Sequence, residues 1–142
     1  MTDESAEPGS LPHTLGQHRV VFMEGGRAQI EYTAGMHMAH SGGVVQGGFI
    51  TGWIDAAMAH AAISQFGFDI VPMTLEVKIS FFAPARPGRI IAEGWIEKSG
   101  KTTCFAEGLI KDTSGALLAK GTSTLRLMPR TKVQSDAAAA MG

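Results

Sequence analysis

Residues 74–82, TLEVKISFF, alternate between polar and apolar side chains over most of their length. The even-numbered residues from Thr74 to Ser80 are polar, and the odd-numbered residues from Leu75 to Phe81 are apolar, with only Glu76 and Lys78 carrying charge. Side chains that alternate in this way point to opposite faces of a β-strand. The pattern therefore predicts a strand whose odd-numbered residues lie on its buried face.

Three more strands are predicted downstream, at residues 89–98, 102–111 and 116–128. Turn residues separate them, namely Pro87-Gly88, Ser99-Gly100 and the run from Asp112 to Gly115. Because short turns join antiparallel neighbours, we expect the four strands to form a meander. Upstream, residues 18–33 are predicted to form a hairpin or a bent strand around Gly25-Gly26.

One long helix is predicted at residues 48–66, with Gly67 as its C-terminal cap. The segment is rich in alanine and has almost no charged face. A helix that is apolar nearly all round must be covered nearly all round. A long antiparallel sheet that curls around one central helix meets this requirement, so the predicted fold class is α+β.

The chain length of 142 residues predicts one domain with a core of its own. We expect this domain to span residues 16–129. Residues 1–15 are predicted to form a flexible N-terminal arm, and residues 130–142 a flexible C-terminal tail.

Composition and charge argue against several kinds of partner. The formal net charge is -1, so the chain lacks the basic surface that favours nucleic acid or anionic membranes. Cys104 is the one cysteine, which excludes an internal disulfide and fits a reducing cytoplasm, the predicted location. The N-terminal residues lack the basic and apolar regions of a signal peptide.

The apolar run from Val44 to Ile63 contains Gln46, Asp55 and His60. A carboxylate near the middle of a membrane span is costly. The run is therefore predicted to be a buried helix of a protein without a membrane partner.

Asp55 is the one acidic residue in HSGGVVQGGFITGWIDAAMAHAA, residues 40–62. Three of its four neighbours at helical spacing are small, so space is expected beside the carboxylate. These neighbours are Thr51, Gly52, Met58 and Ala59. Near Gly47-Gly48 the free N–H groups and the positive dipole end of the helix can hold an oxygen that gains negative charge. A carboxylate about two turns inside such a helix start predicts an acyl-transfer site.

Simpler interpretations of the same residues stay open. Asp55 can support the helix start electrostatically or bond to a polar neighbour. The pairs Gly42-Gly43 and Gly47-Gly48 can simply permit a tight loop and close packing.

The order of these residues resembles that of the hotdog-fold acyl-CoA thioesterases. The motif is Gly43-Val44-Val45-Gln46-Gly47-Gly48, followed by Asp55 in an apolar helix. The chain is most similar to the phenylacetic-acid-degradation type of the 4-hydroxybenzoyl-CoA thioesterase superfamily. The similarity covers about residues 17–128 and includes ISFFAPARPG (79–88), KSGKTTCFAEG (98–108) and GALLAKGT (115–122). It implies a hotdog fold, in which a curved antiparallel sheet wraps a long central helix.

The resemblance also implies roles for single residues. Asp55 matches the catalytic acid, which acts as general base toward water or as nucleophile toward the thioester carbonyl. Gly47 matches the glycine whose N–H polarises that carbonyl, with Gly48 beside it at the substrate. Thr74 matches a hydroxyl residue that helps to hold the water. Because sites of this family form between two subunits, Asp55 would act opposite Gly47 of the other copy.

Two residues depart from the commonest family pattern. Gln46 stands where many relatives have histidine, and His40 where many have asparagine. Both keep hydrogen-bonding capacity and are expected to line the site in orienting roles, although Gln46 cannot transfer protons as histidine could. Turn residues of relatives can meet the phosphates of coenzyme A, so Lys101 is a candidate contact.

The remaining candidates have simpler expected roles. His60 is predicted to be packed or at an interface, and Cys104 to be inert. The other histidines lack metal-ligand spacing, so no metal site is predicted. Trp53, Trp95, Phe81 and Phe82 are expected in the core or at a subunit interface, and one or two of them could line an acyl pocket.

The predicted function is hydrolysis of a small, aryl or medium-chain acyl-CoA to the free acid and coenzyme A by a homodimer or homotetramer. Coenzyme A enters as part of the substrate, so no cofactor is predicted. Two alternatives remain. One is an acyl-CoA-binding protein without catalysis, and the other is a hydratase or dehydratase of the same fold, which generally needs a histidine paired with an acid.

Overall fold

A long helix, α2 (Gly47–Phe66), lies against one face of a six-stranded antiparallel sheet. The computed structural model describes residues 6–141. The strands are β1 (Gln17–Glu24), β2 (Arg27–Ala34), β3 (Ala39–His40), β4 (Val44–Val45), β5 (Ile70–Phe81), β6 (Gly88–Ser99), β7 (Thr103–Asp112) and β8 (Leu117–Pro129). The other helices are α1 (Leu11–Thr14), a 3-10 helix (Met36–Met38) and α3 (Arg130–Met141).

The six-stranded sheet wraps α2, which contacts every one of its strands. Six strands spaced about 4.8 Å apart make a sheet about 24 Å wide, whereas a helix with its side chains is about 10–12 Å across. Contact with all six strands therefore requires the sheet to curve. The predicted α+β fold with a central helix is confirmed, and so is the cap, because Gly67 N–H donates to the Ile63 carbonyl at 2.7 Å.

Three strand glycines form a row beneath α2. Gly94 pairs with Gly108, and Gly108 pairs with Gly121. A Cβ added to Gly94 would lie 2.5 Å from the backbone of Ala57, and one added to Gly108 would lie 2.9 Å from Ile54. Larger residues here would push the helix away from the sheet. The glycine row therefore sets how deeply α2 sits.

The order β1-β2-β6-β7-β8-β5 corrects the predicted meander. The strands β6, β7 and β8 are successive neighbours as expected, but β5 pairs with β8 at the sheet edge. Residues 82–87 connect β5 to β6, and six extended residues can span roughly 20 Å, which exceeds three strand spacings of about 4.8 Å each. Pro87-Gly88 thus ends a crossover rather than a hairpin. The predicted hairpin around Gly25-Gly26 is confirmed as β1 and β2.

The predicted buried face of β5 is only partly buried. Val77 and Ile79 pack against the core, but Leu75 and Phe81 are 60% and 53% exposed. A β-bulge near Leu75 also interrupts the alternation. The expectation of a regular strand with one buried face is therefore wrong at Leu75 and at Phe81.

Two helices lie in the segments that were expected to be a flexible arm and a flexible tail. In the arm, Ser10 caps α1 by accepting the N–H of His13 at 3.3 Å. In the tail, α3 continues directly from β8, and Arg130 Nε donates to the Phe68 carbonyl at 2.7 Å. Its four successive alanines favour a helix, although no residue of α3 is buried. Residues 1–5 and 142 lie outside the described residues, and the domain boundaries stay predictions.

The four aromatic residues singled out above occupy different environments. Trp53 is fully buried, and its Nε1–H donates to the Leu15 carbonyl at 2.7 Å. Trp95 is half-buried on the sheet face that points away from α2, next to Gly94 in sequence. Phe81 and Phe82 are more than half exposed. Trp53 is therefore a core residue as predicted, whereas the interface or pocket role expected for Trp95, Phe81 and Phe82 stays a prediction.

Candidate active site

The first turn of α2 is held by a side-chain cap. Gln46 is the N-cap residue, and its Oε1 accepts the N–H of Gly48 at 2.8 Å. Its backbone carbonyl accepts the N–H of Phe49 at 3.0 Å. Because the carbonyl oxygen of the side chain is engaged in the cap, its NH₂ group is the part left to meet a ligand.

The amide of Gly47 is different, because its N–H has no acceptor among residues 6–141. Gly47 is the first residue of α2, where the positive end of the helix dipole adds to the field of the N–H. A Cβ at this position would lie 3.2 Å from the ring of Phe81. Glycine thus lets an aromatic ring lie close to a free donor that can bind a carbonyl oxygen.

The hairpin of β3 and β4 leads into α2 and carries His40. Its turn contains Gly42 and Gly43 at φ of 92° and 72°, a conformation that residues with a Cβ rarely adopt. The exposed His40 ring donates its Nδ1–H to the Ser41 carbonyl at 2.9 Å. Its Nε2 is therefore an acceptor in the neutral ring.

A cleft of about 400 Å³ opens beside Gly47. Its lining is mostly apolar and consists of Val44, Val45, Gly47, Ile50 and residues 81–85. Val45 N–H donates to the Ala85 carbonyl at 2.8 Å, which holds the β5–β6 connection against β4. The volume lies within the range of about 300–1,000 Å³ that is usual for small-molecule sites. Sequence patterns missed the contribution of residues 83–85, because it depends on the crossover that the predicted meander lacked.

Asp55 lies two turns further along α2, half-buried beside the edge strand β5. Thr74 Oγ1–H donates to Asp55 Oδ1 at 2.7 Å. No lysine, arginine or histidine among residues 6–141 forms an ion pair with this carboxylate. The hydroxyl therefore orients one carboxylate oxygen, and the other remains able to accept a proton from water or to attack a carbonyl.

The space predicted beside Asp55 is smaller than its small neighbours suggested. Met58 is fully buried in the core. Leu15 covers Gly52, where an added Cβ would lie 3.1 Å from its side chain. Thr51 donates its hydroxyl to the Gly47 carbonyl at 2.9 Å. These contacts leave little free space on the helix face around Asp55.

Thr74 reaches Asp55 because of the bulge in β5. In the register with β8, Thr74 faces Leu125, but Glu76 already faces Thr124. Two steps on β5 therefore match one step on β8, and Leu75 is the additional residue. Strict alternation would place Thr74 on the face opposite to Val77. The bulge instead turns Thr74 toward α2, which corrects the predicted orientation of its side chain.

The predicted site residues form two groups in one chain, with Lys101 apart from both. His40, Gln46, Gly47 and Gly48 lie at the start of α2. Asp55 and Thr74 lie about 12 Å further along the helix, at about 1.5 Å per residue. Lys101 is exposed in the β6–β7 turn, whose neighbour Ser99 is bonded to Gln65 at the far end of α2. The roles of all seven residues stay predictions.

The other candidates take no visible part in these groups. His60 is half-buried and donates its Nδ1–H to the Ala56 carbonyl at 2.7 Å, and its role as a packed or interface residue stays a prediction. Cys104 is fully buried, and burial raises the pKa of its thiol. Within residues 6–141 there is no group of three potential metal ligands. Over the same range, none of the helices has the length and apolar character needed to cross a membrane.

The family of the chain follows from two comparisons. Residues 42–119 match the family model described as the thioesterase superfamily, which is 78 of 142 residues and so more than half of the chain. A protein of Saccharolobus solfataricus that is provisionally named as an esterase is 35% identical over 118 residues, 82% of each chain. The chain therefore belongs to the thioesterase superfamily, and the prediction of a thioester hydrolase is confirmed.

Solved structures agree with this assignment. A Ralstonia eutropha JMP134 protein, described provisionally as a thioesterase related to phenylacetic acid degradation, aligns with a TM-score of 0.77 and 24% identity over 85% of this chain and 92% of that chain. A hypothetical thioesterase of Streptococcus pneumoniae TIGR4, solved with coenzyme A, aligns with a TM-score of 0.72 and 19% identity over 78% and 88%. These similarities confirm the predicted hotdog fold.

Proposed function

We propose that the protein hydrolyses a small, aryl or medium-chain acyl-CoA at a site shared by two copies of the chain. Asp55 of one copy acts as general base toward water, or as nucleophile, and Gly47 of the other copy binds the thioester oxygen. The products are the free acid and coenzyme A. The observation that carries this proposal is the 2.7 Å hydrogen bond from Thr74 to Asp55.

A catalytic carboxylate needs a fixed orientation and no cation that lowers its basicity, and Asp55 meets both conditions. Its orientation is set by a neutral donor, and no cation is paired with it among residues 6–141. A carboxylate held by an arginine would be a weaker base. Thr74 belongs to the edge strand β5, so the Asp55–Thr74 pair lies at the sheet edge, where a ligand or another chain can reach it.

A second copy is needed because of the distance between the two groups. A carbonyl carbon must lie about 3–3.5 Å from the attacking atom while its oxygen bonds the amide. Gly47 and Asp55 of one chain are about 12 Å apart along α2. One thioester therefore cannot contact both in the same chain, which supports a site between subunits.

The edge strand β5 offers the surface for such a partner. Among residues 6–141, Met73, Leu75, Phe81 and Phe82 are exposed apolar residues on or directly after it, at 44–60% exposure. An edge strand also has unpaired N–H and C=O groups along one side. Apolar surface next to an unpaired edge favours association with a second copy, which brings the Asp55 side of one chain toward the other.

The remaining site residues would bind the substrate. The apolar cleft beside Gly47 would hold an uncharged part of the acyl-CoA, bordered by the NH₂ group of Gln46 and by Gly48. His40 would accept a hydrogen bond through Nε2, and Lys101 would meet a phosphate of coenzyme A. Because a carboxylate, a water and an amide donor are sufficient for thioester hydrolysis, we propose that no cofactor is required, and dialysis against EDTA should leave the rate unchanged.

The test is thiol release from a panel of aryl-acetyl, short-chain and medium-chain acyl-CoAs. We expect Asp55→Asn to lower kcat by about 10²- to 10⁴-fold, the usual contribution of a general base. The matched control is Asp136→Asn, which changes an exposed acid of α3 whose partner is Lys132. Release at the same rate by Asp55→Asn and the wild type would refute the mechanism.

Other outcomes separate the alternatives. Tight acyl-CoA binding by calorimetry without any thiol release would identify a binding protein. Hydration of an enoyl-CoA, followed by the loss of its ultraviolet absorbance, would identify a hydratase. Within one chain His40 and Asp55 have other partners, Ser41 and Thr74, so no histidine–acid pair favours that reaction.

The shared site has its own test by mixing inactive chains. Asp55→Asn and Gly47→Pro chains are each expected to be inactive as homodimers. In a mixed dimer with one chain of each variant, one site combines the intact Asp55 with the intact Gly47, and the other site carries both changes. An equal mixture should recover roughly one quarter of the wild-type sites if dimers form at random. Absence of any recovery in verified mixed dimers would show that each site uses one chain only.

A further inference from the structure

The β-bulge in β5 acts against the hydrophobic pattern of the strand. Beyond the bulge, Val77 and Ile79 pack on the core, and simple alternation would place Leu75 beside them. The additional residue leaves Leu75 60% exposed and turns the polar Thr74 toward α2 instead. Something other than burial of this strand must hold the bulge in place.

Ser123 on β8 provides such a contact. Its Oγ–H donates to the backbone carbonyl of Glu76, the residue directly after the bulge, at 2.9 Å. Among residues 6–141, Ser123 and Tyr32 are the buried residues whose side chains carry a hydroxyl, and Ser123 is 6% exposed. A buried hydroxyl is costly unless it is bonded, so its position is stable only while the Glu76 carbonyl stays there.

We infer that Ser123 is a positioning residue for catalysis, which acts through the bulge and Thr74 on the carboxylate of Asp55. The chain of contacts runs from Ser123 to the Glu76 carbonyl, from the bulge to the orientation of Thr74, and from Thr74 to Asp55 Oδ1 at 2.7 Å. Without the hydroxyl, β5 can return to the alternation that its sequence favours, with Leu75 inward and Thr74 outward. The catalytic part of this inference rests on the proposed function.

The kinetic test compares Ser123→Ala with Thr74→Val and with the two changes combined. We expect Ser123→Ala to lower kcat about three- to tenfold with KM unchanged, and to cause no further loss in the Thr74→Val background. The conservative Ser123→Thr, which keeps the hydroxyl, should restore most of the rate. An equal loss of kcat in both backgrounds would show that Ser123 does not act through Thr74.

The matched control is Ser64→Ala, which also removes a serine hydroxyl that bonds the backbone. Ser64 Oγ donates to the Ala61 carbonyl at 2.7 Å and accepts the N–H of Gly26 at 2.9 Å. It lies about 13 Å beyond Asp55 along the helix. This variant should lose stability while kcat stays the same. A loss of kcat equal to that of Ser123→Ala would assign both effects to general destabilisation.

A second measurement does not depend on catalysis. A cycle of Thr74→Val, Asp55→Asn and the double variant, followed by denaturant unfolding, measures the coupling between the two side chains. The coupling should be measurable in the protein with Ser123 and absent in the Ser123→Ala background. If the alanine variant does not fold, the Ser123→Cys background should show a reduced coupling. Unchanged coupling would overturn the inference. If the coupling responds to Ser123 but the wild type cleaves no acyl-CoA, the proposed function fails and the structural role of Ser123 remains.

Discussion

The two ends of the candidate site are built by different means. At the start of α2, the functional group is a backbone N–H, that of Gly47, and its neighbours in sequence supply the cap and the turn. At Asp55, the functional groups are two side chains brought together from a helix and an edge strand, 19 residues apart in the chain. The first region depends on local backbone geometry, whereas the second depends on strand register.

This difference predicts different sensitivities to substitution. A backbone donor can be removed only by proline or displaced by a neighbouring side chain, so most substitutions around Gly47 should change binding or stability first. The Asp55–Thr74 pair can be lost through either side chain or through the strand that carries one of them.

Gly47→Pro should have the largest effect on the helix-start region. Proline is well tolerated at the first helical position, where it removes the N–H and adds ring carbons beside Phe81. Gln46, at φ -66° and ψ 137°, has the extended conformation required before proline. Loss of an oxyanion donor lowers kcat by about 10²- to 10³-fold. Steady-state thiol release measures this loss.

Gly47→Ala is the control for that change, because it adds a Cβ against Phe81 but keeps the N–H. It should retain clearly more activity than Gly47→Pro. Equal losses in the two variants would mean that space beside Phe81, and not the amide, decides the rate, and the contrast between a backbone region and a side-chain region would no longer hold.

Thr74→Val should have the next largest effect. The variant keeps the shape of the side chain but removes the donor to Asp55, and a hydrogen bond to a charged group is worth roughly 1.5–3 kcal/mol. We expect kcat to fall about tenfold or more, measured with the best acyl-CoA of the panel. Thr74→Ser, which keeps the hydroxyl, should remain near the wild-type rate, and the same loss in both variants would contradict the orienting role.

Gln46→Ala should affect stability more than chemistry. It removes the oxygen that caps the Gly48 N–H, and loss of an N-cap costs about 1 kcal/mol. Urea unfolding should show this loss, and Gln46→Asn, which keeps a capping oxygen, should show less of it. If Gln46→Ala abolished turnover at unchanged stability, Gln46 would be a catalytic group and the helix start would no longer be a backbone site.

The smallest effect lies outside both regions and separates stability from activity. Arg19 Nε lies 2.9 Å from Glu31 Oε2, and the hydrogen bond from this guanidinium lowers the pKa of the Glu31 carboxyl below its usual value. A carboxyl whose pKa is lower in the folded state stabilises the fold above its unfolded pKa, near 4.5, and this contribution is lost as the pH falls through the folded pKa.

Glu31→Gln should therefore lower the free energy of unfolding at pH 7 by about 1 kcal/mol or less, as for other partly exposed ion pairs. The difference from the wild type should shrink as the pH falls below 4.5, measured by urea unfolding at each pH. At pH 7 the kcat of Glu31→Gln should equal that of the wild type. A difference that grew toward low pH would contradict the assigned ion pair.

The helix start could be predicted because Gln46, Gly47 and Gly48 are neighbours in sequence. The distance from Gly47 to Asp55 could be predicted too, because both residues lie in one continuous helix with a known rise per residue. The cleft beside Gly47 could not be predicted in this way, since the residues 83–85 that line it come from a crossover between β5 and β6.

Local patterns in the chain were enough to predict most of the strands, the central helix and the family. Polar and apolar periodicity indicated the strands, the apolar segment around Asp55 indicated a covered helix, and the motif from Gly43 to Gly48 indicated a hotdog thioesterase. The strand and helix predictions hold because side-chain direction repeats at a short, fixed interval along each element, and this interval is visible in the sequence.

The position of β5 in the sheet and the direction of the Thr74 side chain depend on long-range contacts instead. Short connections suggested that β5 pairs with β6, but burial of the central helix by all six strands places β5 beside β8. Alternation put Thr74 on the outer face, and one additional residue opposite β8, with the Ser123 contact behind it, turns the hydroxyl to Asp55. Strand register depends on contacts between residues about 50 positions apart, and periodicity within one strand carries no information about them.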